Sequence, residues 1–159
     1  MSIKDQKQIT GYILSFFLFV ALLNSGYFFM ATLKLSPGKW LAFNACSLAI
    51  IVYLVCFVMY RITKIDWLLA FPLLPLYYYG TMGLFIMPWT GANLFAQVTH
   101  ILITLNVLWI LFVLLKEQRF SGLGKGCLAG ILVFVPVFAI VQTYTQLHMS
   151  EFLLLMQRM

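Results

Sequence analysis

Asn93, Gln97, His100 and Thr104 recur at intervals of three and four within a long apolar stretch. On a helix, at about 100° per residue, they fall within about 60° of one another and form a single stripe. An unpaired amide or imidazole in hydrocarbon costs several kcal/mol, so the stripe must face other helices or water rather than lipid. Thr99 and Asn106 point nearly the opposite way, which predicts protein on both sides of this helix. His100 is the ionisable member, and an ionisable group inside an apolar span is a functional candidate. Its imidazole could anchor a quinone carbonyl, pass a proton, or ligate the iron of haem b. A haem held by two histidines would need His148, the only other histidine. His148 is expected at or beyond the membrane edge, about two turns from the depth of His100.

Other neutral polar residues interrupt the apolar runs: Asn24 and Ser25, Asn44, the Tyr77-Tyr78-Tyr79 run with Thr81, and Gln142, Thr143, Thr145 and Gln146. A pocket built from Asn24, Asn44, Tyr78, Asn93, Gln97, His100 and Gln142 is the binding site these positions predict. Several chemistries are disfavoured. The four acidic residues, Asp5, Asp66, Glu117 and Glu151, all stand at the ends of apolar runs. No carboxylate is placed for a buried proton relay or for paired acid–base work. No phosphate-binding loop, zinc-hydrolase motif or nucleophile elbow occurs. Cys46, Cys56 and Cys127 lie in or beside apolar runs with no C-x-x-C pair, as buried thiols do. No metal set and no nucleophile is nominated, so the balance leans away from an enzyme.

The elements that must carry these residues follow from the spacing of charge. The chain is 64% hydrophobic and 9% charged, against about a quarter charged in a soluble domain. It reads as a single integral membrane domain over 1–159. Charge is missing between Lys7 and Lys34, Lys39 and Arg61, Asp66 and Lys116, and Lys125 and Glu151. A span needs roughly 20 apolar residues. The third gap would make a helix of about 74 Å, so it must fold back, and Pro88-Trp89-Thr90-Gly91-Ala92-Asn93 is the turn signal. The prediction is an all-α bundle of five spans at 11–33, 40–60, 67–88, 93–115 and 124–147. Trp40, Tyr60, Trp67 and Trp89 fall at predicted ends, where amphipathic rings prefer to sit. The first apolar run is too long for a signal peptide. The tail from Ser150 either extends the last helix or lies along the interface.

Lys4, Lys7, Arg61, Lys64, Lys116, Arg119 and Lys125 fall on the N-terminal side, and Lys34, Lys39 and Arg158 on the other. This bias predicts a cytoplasmic N-terminus in a plasma (inner) membrane, and it puts the polar pocket in the external half, with the inner half nearly pure hydrocarbon. Gly122, Gly126 and Gly130, and Ala42, Ala45 and Ala49, offer small faces for helix contact. Pro72, Pro75 and Pro136 predict bends. Ser121–Gly126 reads as a flexible turn, and Asp66 as a partner of Lys64 or Arg61. Basic clusters between apolar runs meet lipid headgroups, and no nucleic-acid partner is expected. The partners expected are the bilayer and a membrane-protein partner or a second copy of the chain. The functional expectation is a binding or transport unit, or an accessory subunit of a membrane complex, with a polar pocket in the external half. The alternative is a redox subunit holding quinone or haem b through His100.

Overall fold

The computed structural model describes residues 3–91 and 93–157; Ala92 of the expected turn and Arg158 and Met159 of the tail lie outside the described residues. Among the described residues there are helices and short connections, and no strand. Five helical rods are long and apolar enough to cross a membrane: Gln6–Thr32, Ala45–Thr63, Asp66–Ile86, Asn93–Lys116 and Phe120–Leu147. Their outward residues are apolar, with Phe95 81%, Phe85 79% and Ile62 76% exposed, which suits a hydrocarbon surround. The chain runs up and down, so the connections near 64–65 and 117–119 share the proximal face with the N-terminus. Those near 33–36 and 87–91 form the distal face.

The all-α fold and the count of five spans agree with the charge spacing; several boundaries differ, each for a local reason. Helix α1 (Ile3–Gly26) starts before residue 11 and ends in π-helical turns at Tyr27–Thr32, where the Leu33 N–H reaches back five residues to the Phe28 carbonyl. Helix α2 (Pro37–Phe43) stands apart. The Ser36 hydroxyl caps it by accepting from the Lys39 N–H, and Pro37 fills a first-turn position that needs no donor. Asn44 then leaves the helical region (φ −126°, ψ 66°), so the second span is α3 (Ala45–Thr63) and does not begin at 40. The same break divides the expected alanine stripe, leaving Ala42 on α2 and Ala45 and Ala49 on α3. Trp40 is no interfacial anchor: its ring lies against Gly26, 8% exposed. Tyr60 is buried as well.

The third span is segmented into α4 (Asp66–Ala70), α5 (Leu73–Pro75), π-helical turns at Leu76–Thr81, and α6 (Gly83–Ile86). Pro72 and Pro75 have no N–H to return to the preceding turn, and the ladder loosens behind them. Helix α7 (Asn93–Lys116) is unbroken, and α8 (Phe120–Leu147) carries Pro136 without interruption. His148 leaves helical geometry, and the tail forms a separate helix, α9 (Met149–Met156). Ser121–Gly126 is not a turn; it opens α8, and the turn lies at 117–119 with Gln118 at φ 54°. Its glycines serve contact. A Cβ at Gly122 would lie 2.5 Å from the Asp66 Cβ, one at Gly126 2.5 Å from the Ala70 Cβ, and one at Gly130 2.7 Å from the Phe71 carbonyl oxygen. Backbones this close gain packing that lipid cannot match.

The third span is central, touching α3, α7 and α8, while α1 packs on α3 and α7. The proximal half is filled by Phe57, Leu69, Ile110 and Leu114, all buried. It is not pure hydrocarbon, since Ser15 and Tyr53 share a hydroxyl contact of 2.9 Å and Asn106 is fully enclosed. Charges lace its rim. Arg119 bonds Asp66 and, at 2.6 Å, Glu117, which also meets Lys7 at 3.3 Å. Asp66 therefore pairs with Arg119, not with Lys64 or Arg61. The glycine contacts bring the start of α8 onto α4, while Arg61 turns to the Tyr12 hydroxyl and Gln8, and Lys64 ends α3 in left-handed geometry.

Candidate functional site

All five spans contribute to the wall of a cavity of about 960 Å³ in the distal half. Of the seven residues expected to form a pocket, Asn24, Asn44, Tyr78, Asn93, His100 and Gln142 line it, and Gln97 does not. Its described lining holds no Lys, Arg, Asp or Glu and eight aromatic rings. Tyr27 and Phe95 stand at 71% and 81% exposure, so part of the wall is continuous with the lipid-facing surface.

Both π-helical stretches border this space. The first contributes Tyr27, Phe28, Phe29 and Thr32, and the second Tyr78 and Tyr79. Widened turns of this kind recur at functional sites because they re-aim side chains that a regular helix would stack. Tyr78 stacks on Phe138 of α8 with centroids 4.7 Å apart, and Tyr79 meets the same ring edge-on at 4.8 Å. These three rings form the wall between the third span and α8.

On the opposite wall Ser25 is a hub. Its hydroxyl accepts from Trp40 Nε1 at 3.1 Å and from Asn44 Nδ2 at 2.7 Å, and it meets the Ser47 hydroxyl at 3.1 Å. Asn44 Oδ1 accepts from the Cys46 thiol. Asn44 thus spends both ends of its amide on holding α1, α2 and α3 together. By contrast, the side chains of Asn24, Asn93 and Gln142 line the cavity with no hydrogen-bond partner among the described residues.

The polar stripe on α7 divides in the same way. Gln97, 1% exposed, donates from Nε2 to the Met87 carbonyl at 2.8 Å, and its Oε1 lies 3.3 Å from His100 Nδ1. Thr104 meets the Thr81 hydroxyl at 3.3 Å and donates to its own chain at the His100 carbonyl. Gln97 and Thr104 are therefore a seam to the third span, while Asn93 and His100 border the cavity. His100 fits because position 83 is glycine, where a Cβ would lie 2.5 Å from the imidazole Cε1. The ring stands between the main cavity and a side pocket of about 310 Å³. Thr99, on the face expected to point away, also lines the main cavity. Asn106 donates to the Leu102 carbonyl at 2.8 Å, and its enclosed Oδ1 has no partner among the described residues.

His148 stacks on Tyr144 at 4.2 Å and donates from Nδ1 to the Tyr144 carbonyl, outside the cavity wall. The two histidines do not share a cavity. Among the described residues, no three His, Cys, Asp or Glu side chains gather to hold a metal. Ser25, Tyr79, Thr99 and Phe138 also line the cavity, beyond the seven residues expected there; Ser25 and Tyr79 stand among the polar residues that interrupt the apolar runs, and Thr99 and Phe138 do not. Ser25 follows Asn24 directly, and the run of three tyrosines exposes at least one ring to any cavity beside it; those were the available signals. Comparison with protein-family models, with curated proteins and with solved structures gives no match.

Proposed function

We propose that the protein is a membrane-embedded binding unit for a neutral, amphipathic, lipid-like molecule. The observation that supports this best is the pairing of an uncharged, aromatic-lined cavity with amides left open on its wall. Apolar length supplies affinity in such a site, and a few placed polar groups supply orientation. A charged headgroup would find no counter-charge inside, and desolvating it without a partner is costly. The Lys and Arg bias supports a cytoplasmic proximal face, so that the cavity belongs to the outer half of the membrane. The packed proximal half favours binding over passage straight through the bundle.

The test is recovery of bound lipid. Protein purified in mild detergent is extracted and its lipids identified by mass spectrometry, beside an Ala96→Trp variant whose indole occupies the cavity. One neutral species enriched over the bulk membrane in wild type, and lost in the variant, is the expected result. The same bulk composition in both proteins would sink the reading, because the cavity would then hold surrounding lipid only.

A further inference from the structure

The hydrogen bonds around Gln97 fix which end of His100 is open. Gln97 Nε2 donates to the Met87 carbonyl at 2.8 Å and lies 3.5 Å from the Gly83 carbonyl. Carbonyls accept only, so the amide nitrogen must face them and Oε1 must face His100. An amide oxygen also accepts only, so the proton of the facing ring nitrogen sits on Nδ1, 3.3 Å away. In a neutral imidazole the other nitrogen, Nε2, is then a bare lone pair. No carboxylate lines the cavity to hold a second proton on the ring. Nε2 has no partner among the described residues, yet it is not sealed as Asn106 Oδ1 is. His100 is 3% exposed, and what remains open borders the two pockets it lines.

We infer that this site selects a ligand whose polar end is a hydrogen-bond donor, a hydroxyl delivered to His100 Nε2. The inference rests on the binding reading above and narrows it. A lipid-like alcohol or a quinol fits. An ester, an ether or a quinone carbonyl brings a second acceptor to an acceptor and leaves both unpaired. The sequence alone offered His100 as an anchor for a quinone carbonyl; the Met87–Gln97–His100 chain reverses that polarity. Met87 holds the relay because it is the C-cap of α6, where its carbonyl is left over by the helix; the Gly83 carbonyl, one turn back, already accepts the Met87 N–H.

Two probes that differ only at the polar end decide it: hexadecanol and hexadecyl methyl ether. The protein carries ¹⁵N-histidine and His148→Gln, so that only His100 reports, and a fluorine on the Phe138 ring reports entry into the cavity. The expected result is a proton on Nδ1 and none on Nε2, a saturable shift of Nε2 with the alcohol alone, and affinity about tenfold higher for the alcohol than for the ether. A proton on Nε2, or equal affinities with Nε2 unmoved while the fluorine responds to both probes, overturns the donor assignment and leaves the binding reading intact. A fluorine signal that answers neither probe overturns the binding reading, and the assignment falls with it. Gly83→Ala, which displaces the ring without truncating it, should bring the alcohol preference down to about onefold while the fluorine still reports entry. A preference kept at tenfold there overturns the role of His100.

Discussion

Gln97 shows how one buried amide can be both structure and site. Its Nε2 ends the third span at Met87, and its Oε1 orients the imidazole that borders the cavity. Replacing it by leucine leaves a buried carbonyl and a ring N–H unpaired, and each orphaned group costs about 1–3 kcal/mol. Gln97→Leu should therefore lower the thermal midpoint clearly, whereas Asn24→Leu, which removes no internal bond, should leave it near wild type. A fluorescence-based melting curve in one detergent separates the two. The α7 polar residues were legible from their spacing, because a helix stacks positions three and four apart on one face. What spacing could not tell was which of them are consumed internally. That depends on Met87 and Thr81 across the helix interface, and on Ser25, whose type more often bonds its own helix backbone.

Among the elements, α8 rests on α4 through glycines whose missing Cβ atoms leave room for the neighbouring backbone. Gly126→Val should force the two helices apart and cost several kcal/mol through lost packing. Gly124→Val is the control, since a Cβ there meets nothing within 4 Å. Unfolding in a denaturing detergent, followed by far-UV circular dichroism, should show the first variant weakened and the second close to wild type. The spans themselves were readable from charge-free length, because a membrane allows few other structures. The break at Asn44 was not, since asparagine also sits inside membrane helices. The π-helical turns were not readable either. They are set by how the third span relaxes after Pro72 and Pro75 and by where α1 meets Trp40.

Across the molecule, charge among the described residues is confined to the two faces. On the proximal face Arg119 joins the third span and the α7 end through Asp66 and Glu117. Arg119→Gln should cost about 1 kcal/mol, as a partly exposed network does. The loss should shrink in high salt, which screens it in the wild type as well; melting curves at two ionic strengths check this. On the distal face the hydrogen bond to Glu151 raises the Lys39 pKa. A raised lysine pKa stabilises below the ordinary value and loses that contribution as pH climbs through the shifted one. On the lysine side this clip therefore persists through neutral pH and gives way only in strong alkali. Between these faces α8 is held unequally: its first turns are pressed onto α4, while its far end meets α2 through the Thr145 bond to the Ala42 carbonyl at 3.3 Å and a tilted contact of the Phe43 and Tyr144 rings. Mechanically this is a lever whose arm carries the Phe138 contact with Tyr78 and Tyr79 and whose fulcrum lies near Gly130. From there to Leu147 is about 25 Å, so a tilt of about 10° carries the tip about 4 Å, roughly the width of one hydrocarbon chain. Spin labels on α2 and on the α8 tip should report a wider and broader separation in Gly130→Val and an unchanged one in Gly124→Val. An isopropyl-sized wedge at the fulcrum would thus be magnified into a chain-sized doorway at the mouth.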